Sequence, residues 1–122
     1  MKKRKLTLRT MAKELKAAIA AAKGKKAQDL VVLDVRGLAS FTDFFLIATG
    51  TSTRQLQTVA DAIEEELRTL KVKPIHVEGY PHGEWILLDY VDFVVHLFTA
   101  RSRAYYDLER LWGDADRLAV AS

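Results

Sequence analysis

The sequence predicts an α+β fold with the element order αββαβββα, and three observations carry that prediction. Between Asp29 and Ser52 lie two apolar runs, Leu30–Val35 and Phe44–Thr49, each too short for an ordinary helix and rich in β-branched or aromatic residues. Such runs read as interior strands. Two longer stretches, about residues 7–23 and 53–70, repeat their apolar residues three and four apart, as an amphipathic helix does. Beyond Pro74 three short strand-like runs alternate with turn residues, and a last helical stretch stops at Gly113. With 122 residues, 49% of them hydrophobic, the chain suits one domain with its own core. The expected division is a basic flexible arm at 1–6, a single domain at 7–113 and a flexible tail at 114–122.

In the first helix Leu8, Met11, Ala12, Leu15, Ile19 and Ala22 form one stripe, with Lys13, Lys16 and Lys23 off it. Gly24 ends it, and Lys25 and Lys26 follow at the negative end of the helix dipole. The stretch is rich in alanine, weak for membrane insertion, so packing on the sheet is expected. In the second helix Ser52 and Gln55 have capping-box spacing, and Leu56, Val59, Ala60, Ile63, Leu67 and Leu70 recur with helical period. Glu64 precedes Arg68 by four, the favourable order for a surface pair. The strands after Pro74 are Ile75–Glu78, Glu84–Asp89 and Phe93–Phe98. Alternation puts Trp85, Leu87 and Asp89 on one face and Ile86, Leu88 and Tyr90 on the other. The short connection at Tyr90 and Val91 predicts an antiparallel hairpin. A helix over Ser102–Trp112 places Tyr105, Leu108 and Trp112 together toward the core and turns Tyr106 and Arg110 away.

Charge and composition narrow the function classes. Residues 1–26 carry ten Lys or Arg against the single acid Glu14, whereas residues 27–122 carry nine basic and fifteen acidic side chains. The basic end reads either as a phosphate-seeking arm or as a solubilising tail. Zero cysteines remove disulfides and thiolate metal sites, and no apolar run approaches the roughly 20 residues that span a bilayer. An unexported, cytoplasmic protein is expected.

Catalytic constellations are sparse. His76, His82 and His96 are scattered; His76 and Glu78 share a strand face, but no third ligand accompanies them. Asp34, Asp43, Asp89 and Asp92 sit at strand ends and loops, without the i, i+2 pair that a two-metal site needs. Gly50–Ser52 before a helix, with Asp43, offers a residual nucleotide-binding alternative. The expectation is no catalytic residue, no metal and no cofactor. Aromatics are more promising: Trp85, Tyr90, Tyr105, Tyr106 and Trp112 crowd the C-terminal part, and such residues anchor protein interfaces. Tyr90, in a turn, and Tyr106 are expected to be exposed, ringed by Asp89, Asp92 and Glu109, which would suit a basic partner.

The blocks DLVVLDVRGLASFTDFFLIATGTSTRQ, EGY with WILLDY, DFVVHLF and YDLERLW resemble the ribosomal silencing factor S (Iojap/YbeB-type) family over about residues 8–113. The resemblance implies a mixed five-stranded sheet with flanking helices, nucleotidyltransferase-like but without the catalytic carboxylates. It also implies a non-enzymatic factor that docks on the large ribosomal subunit through the ribosomal protein of the L-fourteen family. There it blocks small-subunit joining and represses translation when nutrients are scarce. Members commonly self-associate as dimers, so a homodimer is expected when free, with contact between the basic arm and rRNA as a further expectation. By matching position the partner-binding residues are Trp85, Tyr90 and Tyr106; Asp89 and Asp92 are added from charge. The chain departs from the family pattern at Val91, where a glycine commonly follows the Asp-Tyr pair. It departs again at Thr99–Arg103, which replaces a more acidic lead into the last helix.

Overall fold

In the computed structural model, which describes residues 11–120, the two apolar runs pair with each other at the centre of the sheet. Strands β1 (Gln28–Asp34) and β2 (Phe44–Gly50) are antiparallel, with Val31 opposite Ile47 and Leu33 opposite Phe45. Both are buried on both faces, which is why they read as continuous apolar runs. Helix α2 (Thr53–Thr69) begins the long crossover that brings β5 (Phe93–Thr99) parallel to β2. Strand β4 (Trp85–Asp89) is the antiparallel hairpin partner of β5, and β3 (His76–Glu78) pairs antiparallel with β4 at the edge.

Among the described residues the sheet has six strands in the order β3-β4-β5-β2-β1-β6, not five. The extra strand is β6 (Asp116–Ala119), which pairs antiparallel with β1 in the stretch expected to be a loose tail. Its side chains are mostly exposed, so no apolar pattern announces it. What forms it is the open edge of β1, whose backbone groups need partners.

One face of the sheet carries α1 (Lys13–Gly24) and α2. Leu15, Ile19 and Ala22 from the first helix and Leu56, Val59, Ile63 and Leu67 from the second pack on Leu30, Val32, Leu46, Ile86, Leu88 and Leu97. Helix α2 is capped as its sequence predicts: Ser52 Oγ accepts the Gln55 N–H at 3.0 Å. The return bond is shifted by one residue, since Gln55 Oε1 accepts from the N–H of Thr51 (2.7 Å).

The other face buries Val31, Leu33, Val35, Phe45, Ile47, Val94 and Phe98 under much thinner cover. The single helix expected over 102–112 is two short ones, α3 (Ala100–Tyr106) and α4 (Leu108–Leu111). Asp107 separates them in the left-handed conformation (φ +46°, ψ +56°), a region that Asp tolerates better than most residues. The break resets the helical phase. Leu108 and Trp112 pack on the second face, while Tyr105, placed with them by periodicity, points into solvent. The basic residues 1–6 lie outside the described residues.

Candidate protein-interaction face

The thin cover on the second face leaves a row of aromatic rings that is buried in its middle and open at both ends. Alternation along β4 and β5 sets Trp85, His96 and Phe98 on this face. The Trp85 ring lies 4.5 Å from Tyr106, 5.0 Å from Phe98 and 5.9 Å from His96, centroid to centroid. Tyr105 meets Tyr106 edge-on at 5.0 Å. On the inner side His96 packs edge-on against Phe45 at 4.7 Å, and Phe45 against Trp112 at 5.5 Å. Phe41, in the β1–β2 loop, closes the row against Phe45 (6.0 Å) and Trp112 (6.3 Å). At the open ends Tyr106 is 48% exposed, Tyr105 80% and Phe41 59%, with exposed Leu38 and Leu111 nearby in sequence.

Several contacts hold this row in place. The indole N–H of Trp85 donates to His96 Nδ1 at 3.1 Å, so the neutral imidazole carries its proton on Nε2, which has no partner among the described residues. Burial pushes the His96 imidazole down to about 3, which keeps it an acceptor at neutral pH. The start of α3 is fastened by Ser102, whose N–H donates to Thr99 Oγ1 (3.2 Å) and whose hydroxyl donates to the Glu84 carbonyl. Arg103 donates to Glu109 Oε1 (2.8 Å), to the Asp29 carbonyl (2.7 Å) and to Thr49 Oγ1 (2.8 Å), tying α3 and α4 to the sheet. Arg117 on β6 bonds the other Glu109 oxygen. The Arg103 hydrogen bond, helped by both positive charges, holds the Glu109 carboxyl below the usual glutamate range. The loop before β4 is fixed by two glycines at which any side chain would be strained and would clash with its neighbours. A Cβ on Gly79 (φ +77°) would lie 2.0 Å from the Trp85 carbonyl, and one on Gly83 (φ +62°) 2.1 Å from Thr53.

The structure brings Trp85 and Tyr106 together but separates Tyr90 from them. Tyr90 is 5% exposed, on the α1/α2 side, stacked on Phe93 at 5.1 Å. Strand alternation continues one residue past the end of β4 and turns its ring inward, so the exposure expected of a turn residue is corrected. Asp89 lies on the Trp85 face but four residues along the strand, about 13 Å away. Its carboxylate accepts the Val91 N–H (2.8 Å), a turn-capping role. Asp92 is exposed in the same turn. The two acids therefore flank the hairpin and not the tyrosines. Around the tyrosines the rim is mixed: one open hollow is lined by Glu84 and Arg101, the next by Asp107 and Arg110. Phe41, Leu38 and Leu111 escaped the sequence reading, and Tyr105, expected in the core, is exposed instead. The signal for Phe41 was an aromatic residue within the polar loop RGLASFTD.

The other candidate chemistry disperses. Asp34 is fully buried and held by Arg36 through Nε (2.9 Å) and Nη2 (2.7 Å). His76 pairs with Glu78 (2.5 Å) on the exposed edge strand. Asp43 precedes β2 and Gly50 ends it, so the length of a seven-residue strand, about 20 Å, lies between the halves of the nucleotide-site alternative. The N–H groups of Thr51 and Gln55 are already bonded. Among the described residues no group of three His, Cys, Asp or Glu is placed to hold a metal, and no helix is long and apolar enough to cross a membrane.

The fold and this face can be set beside known proteins. The family described as "Ribosomal silencing factor during starvation" matches residues 9–122. A Bacillus subtilis protein named ribosomal silencing factor RsfS is 41% identical over 101 residues, covering 83% of this chain and 86% of the relative. The mouse protein "Mitochondrial assembly of ribosomal large subunit protein 1" is 32% identical over 91 residues, 72% of this chain and 40% of that one. A crystal structure of a Chromobacterium violaceum protein superposes with a TM-score of 0.81 at 32% identity, covering 96% of this chain and 95% of its own. By the family match and these identities, the chain belongs to the ribosomal silencing factor family.

Proposed function

We propose that this protein silences ribosomes by steric occlusion. It docks on the large ribosomal subunit at the ribosomal protein of the L-fourteen family and keeps the small subunit from joining. Translation is thereby repressed when nutrients are scarce. The chemistry asked of it is binding alone, since a 13.8 kDa body standing on a joining surface blocks it without making or breaking a bond. Family membership supports the ribosome as partner, as does the name of the mouse relative.

The observation that carries the docking reading is the row Tyr105–Tyr106–Trp85–His96, open at the tyrosines and locked underneath. Aromatic side chains already fixed in position lose little freedom on binding, which makes them effective anchors. Trp85 and Tyr106 remain in the proposed contact; Tyr90 leaves it, because its ring supports the core. Asp89 and Asp92, at the hairpin, would steer the approach to a basic partner without adding much affinity. Truncating an anchor of this kind costs about 2 kcal/mol or more, roughly 30-fold in affinity. Tyr106→Ala and Trp85→Ala should therefore lose large-subunit binding by at least that factor. Full binding by folded versions of both would remove this face from the account. The family's self-association would compete for the same rings. Light scattering against concentration, with and without large subunits, separates the two contacts: a shared surface predicts that subunits dissolve the dimer.

A further inference from the structure

The helix layer on the opposite face of the sheet carries a feature that docking through the aromatic row does not use. Helix α1 spends its apolar side on the core, with Leu15, Ala18 and Ala22 fully buried and Ile19 nearly so. Its outer side presents Lys13, Lys16 and Lys23, all exposed. At 100° per residue these three fall within an arc of about 80°, and at 1.5 Å per residue they span about 15 Å. Exposed Lys25 and Lys26 follow at the helix end, Lys25 on the side of α2, where it lines a shallow hollow with Glu65 and Glu66. That turn is held by local backbone bonds and by a side chain of α2. The Lys25 N–H donates to the Ala22 carbonyl (3.2 Å), the Lys26 N–H to the Lys23 carbonyl (2.9 Å), and Gln55 Nε2 on α2 donates to the carbonyls of both lysines. The backbone carrying the last two charges is therefore fixed relative to the first three.

Along Lys13, Lys16 and Lys23 the row is single-signed and narrow. Glu14, half-buried, is the one acid of α1, whereas the neighbouring α2 exposes Asp61, Glu65 and Glu66. A broad anionic surface laid over this layer would meet both signs at once; a single strand of phosphates laid along α1 would meet only lysines. Lysine, a compact charge on a flexible stem, suits phosphate contact without base selection. Insertion into lipid is disfavoured because the apolar side of α1 is already inside the protein.

We infer that the α1 ridge is a sequence-independent binding surface for the phosphate backbone of duplex RNA. Its biological occupant, on the ribosomal reading above on which that choice rests, is rRNA of the large subunit. Because α1 and the aromatic row lie on opposite faces of the sheet, the RNA and protein contacts are made by separate surfaces and can be removed separately.

The test uses the full chain and a variant carrying Lys13→Gln, Lys23→Gln, Lys25→Gln and Lys26→Gln, both retaining residues 1–10. Binding to a short duplex RNA is measured from about 50 to 200 mM salt. Each phosphate contact contributes about 0.9 to the slope of log affinity against log salt, so with four lysines removed the variant's slope should be shallower by up to about 3.6. Its melting temperature should match that of the unmodified chain, since the four side chains are exposed. An unchanged slope and affinity would overturn the inference. So would anionic phospholipid vesicles binding the unmodified chain as tightly as the RNA does and losing that binding in the variant; that pattern assigns the ridge to lipid. Tyr106→Ala separates the two proposals. It should bind the duplex normally while losing large subunits, and retention of large subunits would fail the docking face without touching the ridge.

Discussion

Replacing Val91 by glycine is expected to stabilise the chain by about 1 kcal/mol. Val91 has φ +74°, and the Asp92 N–H donates to the Tyr90 carbonyl at 2.9 Å, an i+2 to i bond. This is a γ-turn with positive φ at its centre, the rare and strained form. A β-branched residue there costs about 2 kcal/mol or more. The turn persists because its neighbours over-determine it: Asp89 Oδ1 accepts the Val91 N–H (2.8 Å), and Thr42 donates its hydroxyl to the Val91 carbonyl (2.8 Å). Glycine removes the strain and returns about 0.5–1 kcal/mol of backbone entropy to the unfolded chain. Little packing is lost, because Val91 is 50% exposed and belongs to neither apolar cluster. The net gain corresponds to a rise of about 4 °C in melting temperature for a chain of this length. Thermal and urea unfolding of Val91→Gly and Val91→Ala measure it; alanine keeps the strain and should gain little. A glycine variant melting at or below the parent would refute the reasoning.

Four other outcomes follow from the structure. His96→Leu leaves the Trp85 indole N–H without its acceptor, which should cost about 1–3 kcal/mol and weaken large-subunit binding beyond the stability loss. The same change should flatten acid sensitivity. The unfolded histidine binds a proton below about pH 6.5 and the folded one only near pH 3, so stability falls in that window by up to about 1.4 kcal/mol per pH unit; a His96→Leu variant that keeps this slope in urea titrations would contradict the reading. For Glu109, whose folded carboxyl titrates below its unfolded value, the contribution is complete above the unfolded value of about 4.3 and is lost as pH falls through the folded one. Hydrogen exchange at Leu118 should therefore accelerate in that acid window, and the acceleration should be absent in Glu109→Gln. Finally, millimolar nucleotide with magnesium should leave the melting temperature unchanged, because the groups of the alternative site are dispersed; a rise of several degrees would restore it.

Much of the fold was legible because its central elements obey one pattern each. The runs of β1 and β2, the period of α2 and the Ser52 cap depend on local chemistry, and the structure places all of them where the residues indicate. The alternation of β4 also held, and it already put Tyr90 beside Ile86 and Leu88; treating it as an exposed turn residue set that pattern aside. Strand β6 was illegible because Asp-Arg-Leu-Ala has no strand signal, only an edge to fill. The helix break at Asp107 changed the phase between Tyr105 and the pair Leu108 and Trp112, so Tyr105 faces solvent while the pair still packs on the sheet. Of the rings on the candidate face, Trp85, Tyr105, Tyr106 and Trp112 were singled out in the sequence, Tyr105 and Trp112 as core residues. The partner of Trp85, His96, was not, since a lone strand histidine carries no mark of the indole it accepts from across the sheet.

The most direct measurement is subunit joining followed by light scattering. Purified small and large subunits are mixed in magnesium after the large subunits have met an excess of this protein. Steric occlusion predicts that joined ribosomes fail to accumulate with the unmodified chain and accumulate normally with Tyr106→Ala. Undiminished joining with the unmodified chain bound to large subunits would contradict the account at its root.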